Sequence, residues 1–285
     1  MSKGVVLLAL GHQYFGKMAA ALAASIKVCG GIPITLFHAG NAILDLSGDE
    51  RNLFDLVELQ AKDYVLNGEY RYLRPKLLLY DLSPYDETLY LDVDMAWLNM
   101  PVMQLFDECK SDFEMKNYGF TKLKDSPNDN KAWCSYSDIA LIYKLSEQKN
   151  YHLSSEAIYF KKTKEVKKLF RAALKVFDNP KIEYRQFAGY MADEMAFQVA
   201  MMQTEVYPTL DNWQPVYWRQ SNKARCVISA LSPDFYALSM GGVRATETEQ
   251  SIYNIMVQSA YQKLSISRPH KWVNKNRFLN ERKQW

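Results

Sequence analysis

Short continuous apolar runs alternate along the chain with stretches whose apolar residues recur at helical spacing. Residues 5–10 form an apolar run and predict a buried strand, and the Ala-rich residues 17–28, ended by Gly30 and Gly31, predict a helix. Residues 32–38 predict a second strand. A strand, a Gly-containing loop, a helix and a strand in this order form the βαβ unit of a parallel sheet. The pattern therefore predicts an α/β fold.

The rest of the chain continues the alternation of strands and helices. It contains one long polar stretch rich in turn-forming residues, 116–136, which we interpret as a functional loop. The further predicted strands are 53–60, 88–95, 151–160 and 205–210, and the further predicted helices are 75–81, 103–106, 163–176, 193–203 and 246–264.

Two aspartates close the apolar run of residues 88–95, Thr-Leu-Tyr-Leu-Asp-Val-Asp-Met. In a strand, Asp92 and Asp94 would point the same way, because side chains alternate between faces. Two converging carboxylates repel unless a positive charge lies between them, and Mn²⁺ or Mg²⁺ suits carboxylate oxygens and phosphate. We therefore predict a strand-end metal site for a phosphorylated ligand. The alternatives are a surface pair facing a turn, and a phosphatase in which the first aspartate is a nucleophile.

Charge is distributed unevenly along the chain. The net charge is only +3, but residues 161–175 and 261–285 each carry seven Lys or Arg against one acidic residue. Such segments are either solvated faces or contacts for an anionic partner. The chain contains no run of 18 apolar residues, which a membrane-spanning helix would need. Its four cysteines are far apart, which favours reduced thiols, so we expect a cytoplasmic protein.

The order of these signals resembles that of metal-dependent GT-A glycosyltransferases, in particular the glycogenin and bacterial lipopolysaccharide galactosyltransferase family. The Asp-x-Asp strand carries the most specific part of the resemblance, which covers most of residues 5–213. The other segments that resemble the family are 8–25 around Tyr14, Arg74-Pro75-Lys76, Asp193-Glu194, the Pro/Asn segment 208–213 and His270-Lys271-Trp272. The chain departs from the family at Ser154-Ser155-Glu156, where the family has Asn-Ser-Gly, and at Glu194, where it has Gln.

The resemblance implies a GT-A fold, a Rossmann-like mixed and mostly parallel sheet flanked by helices, over residues 1–260, with a basic extension at 261–285. It implies a nucleotide-sugar donor, UDP-linked, and Mn²⁺ or Mg²⁺ as cofactor. The metal ligands would be Asp92, Asp94 and His270, with His12 and His38 competing for the third place. Donor binding would fall to Tyr14, His12, Arg74, Lys76, Asp92 and Lys271, and the catalytic candidates are Asp193, Glu194 and Glu156.

Each of these residues also has a simpler interpretation. Tyr14 stacks on the base or packs in the core, and Arg74 and Lys76 contact phosphate or flank a helix. Asp193 and Glu194 either contact the sugar or acceptor or favour a helix start. Glu156 is an acceptor-side residue or a solvent-facing one, and His270 is a ligand or a surface side chain.

The predicted function is therefore a metal-dependent, retaining glycosyltransferase with an unidentified acceptor. An anionic acceptor, either DNA with modified bases or a lipopolysaccharide-like glycan, would suit the basic segments. A modified base would have to be flipped out of the duplex. A non-catalytic nucleic-acid-binding module on the same fold is the alternative of a different class.

Overall fold

A computed structural model describes residues 1–98, 100–122, 134–145, 148–186, 191–217, 235–240 and 247–267. The strands are β1 (Lys3–Gly11), β2 (Ile34–Gly40), β3 (Asp55–Glu58), β4 (Val65–Leu66), β5 (Glu69–Tyr70), β6 (Glu87–Leu91), β7 (Met95–Trp97), β8 (Phe113–Lys122), β9 (Lys149–Lys161), β10 (Val216–Tyr217) and β11 (Ala237–Ser239). The helices are α1 (Gln13–Lys27), α2 (Gly48–Arg51), α3 (Ala61–Tyr64), α4 (Arg74–Leu77), α5 (Leu79–Leu82), α6 (Val102–Glu108), α7 (Tyr136–Tyr143), α8 (Lys164–Asp178), α9 (Asp193–Thr204) and α10 (Glu247–Lys263).

The predicted fold class is confirmed. The central sheet is mostly parallel and has six strands in the order β3-β2-β1-β6-β9-β8, with helices flanking it. Smaller sheets have the orders β10-β11-β7 and β4-β5. The chain forms two compact units: unit one is Met1–Ser2, Leu59–Leu89 and Cys109–Gln214, and unit two is Lys3–Glu58, Tyr90–Glu108 and Pro215–Trp285.

Unit two contains the parallel strands β1, β2 and β3. Val5 pairs with Ile34 and Leu8 with Phe37, and the apolar side chains of β1 are almost all buried. Burial on both faces is what makes β1 a continuous apolar run rather than an alternating one. Helix α1 also buries its alanines, which let it lie close to its neighbours. Tyr261 lies inside α10 and is buried, so the predicted start of the basic extension falls within this helix.

Unit one is built on the antiparallel pair β8–β9 and the helices α8 and α9. Phe113, Phe160, Phe170 and Phe197 pack against one another in its core, with edge-to-face and tilted ring contacts. The helix α8 buries Val166, Leu169, Phe170, Ala173 and Val176 on one side, which confirms the amphipathic helix predicted there.

Three element predictions were wrong. The polar stretch 116–136 is not a loop throughout, because residues 116–122 belong to β8. Residues 205–210 form no strand. The run 88–95 is two strands, since β6 ends at Leu91 and β7 begins at Met95, with a bend between them. Across the described ranges, no helix is long and apolar enough to cross a membrane.

Candidate functional site

The two aspartates lie at the bend that follows β6, in unit two. Both are half-buried, and the Tyr90 hydroxyl donates a hydrogen bond to Asp92. The backbone carbonyl of Asp94 accepts from the Met240 amide at 2.9 Å, which fixes the bend to the residue after β11. The aspartates are thus at the carboxyl end of a buried strand, as predicted, but the bend rather than strand alternation sets their directions.

Tyr253 of α10 interacts electrostatically with both Tyr14 and Asp94. Its side chain is fully buried. Burial raises the pKa of the Tyr253 phenol well above its ordinary value, and Tyr14, Tyr261 and Asp94 raise it further. Tyr14 itself is half-buried in the first turn of α1. The sequence gives no signal for Tyr253, because its place depends on how α10 packs against α1.

The two histidines predicted as alternative metal ligands have structural partners. His12 caps α1, with its Nδ1 accepting a hydrogen bond from the Tyr14 amide at 3.1 Å. His38 is buried in β2 opposite Glu58, and burial lowers the pKa of its imidazole, with Glu58 opposing and Arg51 adding to that shift. These structural roles do not test whether His12 or His38 binds a metal ion, so metal binding by either residue stays a prediction.

The carboxylate oxygens of Asp92 and Asp94 are donors that suit a hard divalent cation. Within the described ranges, no group of three or more His, Cys, Asp or Glu side chains is arranged to hold a metal ion. Asp92 and Asp94 would supply two carboxylates, which is enough when phosphate and water complete the shell. His270 and Lys271 lie outside the described residues.

Unit one contains a buried cluster of Lys76, Ser155, Asp193 and Glu194. The Lys76 ammonium donates to the Ser155 hydroxyl at 3.1 Å and lies 3.5 Å from an Asp193 carboxylate oxygen. The Ser155 hydroxyl donates to Glu194 at 3.2 Å. The side chains of Lys76 and Asp193 are 9% and 2% exposed, so one buried ammonium stands against two carboxyl groups. Three of the predicted site residues are therefore together.

The two carboxyl groups of this cluster differ in hydrogen bonding. Among the described residues, Asp193 Oδ2 forms an ion pair with the Lys76 ammonium at 3.5 Å and accepts no hydrogen bond from it, whereas Glu194 accepts one from Ser155. Burial raises the pKa of Glu194, and the neighbouring Asp193 raises it further, while Lys76 opposes both. The cluster can therefore hold a proton on a carboxyl group and present polar atoms to a ligand.

A bulge in β9 explains why Ser155 joins the cluster and Glu156 does not. Met115 pairs with Ile158 but Asn117 pairs with Leu153, so β9 has extra residues between these two pairs. Extra residues re-aim the side chains of a strand. Ser155 turns to Glu194, while Glu156 accepts a hydrogen bond from the buried Lys116. Sequence reasoning selected Glu156 and missed Ser155, because the bulge has no signal in the sequence.

Most N–H donors of the Arg74 guanidinium form hydrogen bonds within the protein. Its Nε and Nη2 donate to the two Asp178 oxygens at 2.9 Å each, and its Nη1 donates to the carbonyls of Lys62 and Asp63. Four of its five N–H donors are thus used. Lys76, rather than Arg74, is the cation of the predicted pair that enters the cluster.

Comparison with known proteins gives a likeness in structure alone. No protein-family profile matches the chain, and no curated protein matches it in sequence. The apo structure of the bifunctional glycosyltransferase WbbM matches with a TM-score of 0.59 at 11% identity, over 92% of this chain and 51% of WbbM. The chain therefore spans about half the length of that protein.

Two structures of the galactosyltransferase LgtC match over nearly their whole length. LgtC in complex with donor and acceptor sugar analogs has a TM-score of 0.55 at 12% identity, covering 92% of this chain and 99% of LgtC. An active-site variant of LgtC has a TM-score of 0.56 at 11% identity, covering 90% of this chain and 95% of the variant. At such identities the likeness establishes architecture and not activity. The chain has the fold of these glycosyltransferases, the GT-A fold.

Proposed function

We propose that the protein is a glycosyltransferase that takes its sugar from a UDP-sugar with the help of Mn²⁺ or Mg²⁺. The observation that carries the proposal is the position of Asp92 and Asp94 at the carboxyl end of β6, in a fold shared with LgtC. Open α/β sheets bind their ligands at the carboxyl ends of the strands. The LgtC structure holds donor and acceptor sugar analogs, which supports sugar chemistry on this fold.

The residues of each unit suggest a division of roles. Asp92 and Asp94 would hold the cation, which would neutralise the charge that develops on the leaving diphosphate. Tyr14 would lie against the base of the nucleotide. In unit one, Asp193 and Glu194 would contact hydroxyl groups of a sugar. A carboxyl group with a raised pKa can donate a hydrogen bond at neutral pH, which an ordinary carboxylate cannot. We propose retention of the anomeric configuration on the family resemblance.

The second part of the proposed function is an anionic acceptor substrate. The helix α8 presents Lys164, Lys168, Arg171 and Lys175 to solvent, and these four exposed side chains form a basic face. Such a face favours DNA or an anionic glycan by sequence-independent attraction. A nucleic-acid-binding module without catalysis would share this face, and it would bind DNA without responding to a sugar nucleotide.

The test is a thermal-shift measurement with UDP, GDP and their sugar conjugates, each with and without Mn²⁺. We expect a UDP compound with Mn²⁺ to stabilise the protein, by about 2.7 kcal/mol at a concentration about 100 times its Kd. The variant Asp94→Asn should lose the Mn²⁺-dependent part. Asp107→Asn is the matched control in the same unit, because the Asp107 side chain is 71% exposed, and it should respond like the wild type.

The proposal fails if no UDP or GDP compound stabilises the wild type. It also fails if Asp94→Asn responds to the nucleotide and Mn²⁺ as the wild type does. Salt-sensitive DNA binding together with the first of these results would favour the non-catalytic module.

A further inference from the structure

Three tyrosines form a stack of parallel rings beside the β4–β5 hairpin of unit one. The ring centroids of Tyr64 and Tyr70 are 6.1 Å apart with planes 8° from parallel. Those of Tyr70 and Tyr72 are 5.6 Å apart at 1°. Tyr70, the middle ring, is 60% exposed, and the other two are half-buried. Single exposed apolar residues are ordinary, but three parallel rings form a contiguous aromatic patch.

The rings are held on a rigid support. Asn67 and Gly68 join β4 to β5, both with positive φ (54° and 80°), which is the two-residue turn that an Asn-Gly pair favours. The Arg71 amide donates to the Tyr64 carbonyl at 2.6 Å and closes the base of the hairpin. Arg74 ties that base to α8 through Asp178. The platform therefore needs little ordering when it binds a ligand.

The phenol hydroxyls add polar groups at the edge of the aromatic surface. Burial raises the pKa of Tyr72, and the neighbouring Tyr70 and Tyr64 raise it further. Exposed aromatic rings that carry hydroxyls offer a sugar ring both apolar contact and hydrogen bonds. A pyranose has an apolar face of C–H groups and hydroxyls around its rim, and tyrosine supplies contact area with little loss of side-chain entropy.

We propose that Tyr64, Tyr70 and Tyr72 form a binding platform for a neutral saccharide, which would be the chain to which the enzyme adds its sugar in place of the anionic acceptor that the α8 face would favour. The acceptor role rests on the proposed function, whereas the saccharide binding does not. Local charge favours a neutral saccharide over a nucleic acid. Arg71 forms an ion pair with Glu69 at 2.5 Å, and Arg74 is bound to Asp178, so both guanidinium groups beside the platform already face carboxylates.

The test measures binding of lactose, maltohexaose, cellohexaose and chitohexaose by saturation-transfer NMR and titration, with a single-stranded DNA oligonucleotide as a further probe. We expect the wild type to bind at least one saccharide, and Tyr70→Ala to bind it about tenfold more weakly. Tyr70→Phe keeps the ring and should retain most of the affinity. Leu141→Ala is the matched control, because Leu141 is 77% exposed in the same unit.

Urea unfolding of Tyr70→Ala should match the wild type, since the ring it removes is mostly exposed. The platform proposal is overturned if the wild type binds none of the four saccharides, if Tyr70→Ala binds like the wild type, or if only the DNA depends on Tyr70. The nucleotide and Mn²⁺ thermal shift, measured on the same samples, separates this failure from a failure of the proposed function. A normal nucleotide response without saccharide binding would contradict only the proposed saccharide platform. Tyr70-dependent saccharide binding without a nucleotide response would contradict only the proposed transferase function.

Discussion

At the scale of single residues, Glu194 shows how a buried neighbour sets the state of a catalytic candidate. Its carboxyl group shares a cluster with Asp193 and with one ammonium, that of Lys76. Burial disfavours the charged form of Glu194, and one cation cannot balance two neighbouring carboxylates, so the proton stays on the pair to a higher pH than it would in water. The pKa of Glu194 is accordingly raised from 4.5 to about 8.

Stability should therefore depend on pH through Glu194. Between pH 4.5 and about 8 the folded protein keeps a proton that the unfolded chain has released. The contribution of this group is complete below pH 4.5 and is lost as the pH rises through the folded pKa. We expect the free energy of unfolding of Glu194→Gln to fall less than that of the wild type between these pH values, measured by urea unfolding.

Glu183→Gln is the control for this measurement, because Glu183 is exposed in the same unit. It should keep the pH dependence of the wild type. A slope in Glu194→Gln equal to that of the wild type would show that Glu194 is ionised in the folded protein throughout this range.

Gly16 is a residue whose lack of a side chain decides how close two segments come. A Cβ atom at Gly16 would lie 1.9 Å from the Ala42 carbonyl oxygen, which is backbone and cannot move aside alone. We expect Gly16→Ala to destabilise the protein by about 2 to 3 kcal/mol in urea unfolding. Gly48→Ala, where nothing lies within 4 Å of the new atom, should be neutral or stabilise by about 0.5 kcal/mol. Equal effects of the two changes would contradict this account.

At the scale of elements, the strap formed by residues 208–213 is fixed by buried side chains of β8. Glu114 accepts hydrogen bonds from the Thr209 amide and the Leu210 amide, both at 3.2 Å, and from the Thr209 hydroxyl. The Asn117 side chain accepts from the Asn212 amide at 2.8 Å. The strap thus obtains from side chains the hydrogen bonds that a strand would obtain from a sheet.

Glu114→Gln should loosen the strap. An amide group replaces one carboxylate oxygen and turns N–H donors toward backbone N–H donors, so we expect a loss of about 3 kcal/mol in the free energy of unfolding. Asp112→Asn changes an exposed carboxylate near the start of the same strand and should cost little. Faster hydrogen exchange of the Thr209 and Leu210 amides would locate the effect, and unchanged exchange there would rule it out.

The sequence predicts the elements whose burial follows a local pattern. Strands β1 and β2 and the helices α1, α8 and α9 are all recognisable from their own residues. It does not predict β8, because Lys116 and Asn117 are polar, and their partners Glu156 and Leu210 lie far along the chain. For the same reason, the roles of Ser155 and Tyr253 were missed, since each depends on a bulge or a helix placement rather than on spacing.

At the scale of the whole molecule, the net charge of +3 conceals an uneven distribution. The basic face of α8 should bind polyanions such as heparin, with an affinity that falls as salt rises. We expect the triple change Lys164→Glu, Lys168→Glu and Lys175→Glu to elute from heparin at lower salt than the wild type.

The matched control makes the same charge change at scattered exposed lysines of the same unit: Lys110→Glu, Lys122→Glu and Lys181→Glu. We expect this control to elute later than the α8 variant. Elution of both triple variants at the same salt would mean that net charge, and not the α8 face, governs the retention.

The two compact units limit how the protein can be divided into fragments. The chain passes between them at residues 2–3, 58–59, 89–90, 108–109 and 214–215, so neither unit is a contiguous stretch of sequence. A single recombination event cannot transplant one unit into another protein as a cassette. An expression truncation that keeps unit one intact must retain the intervening parts of unit two.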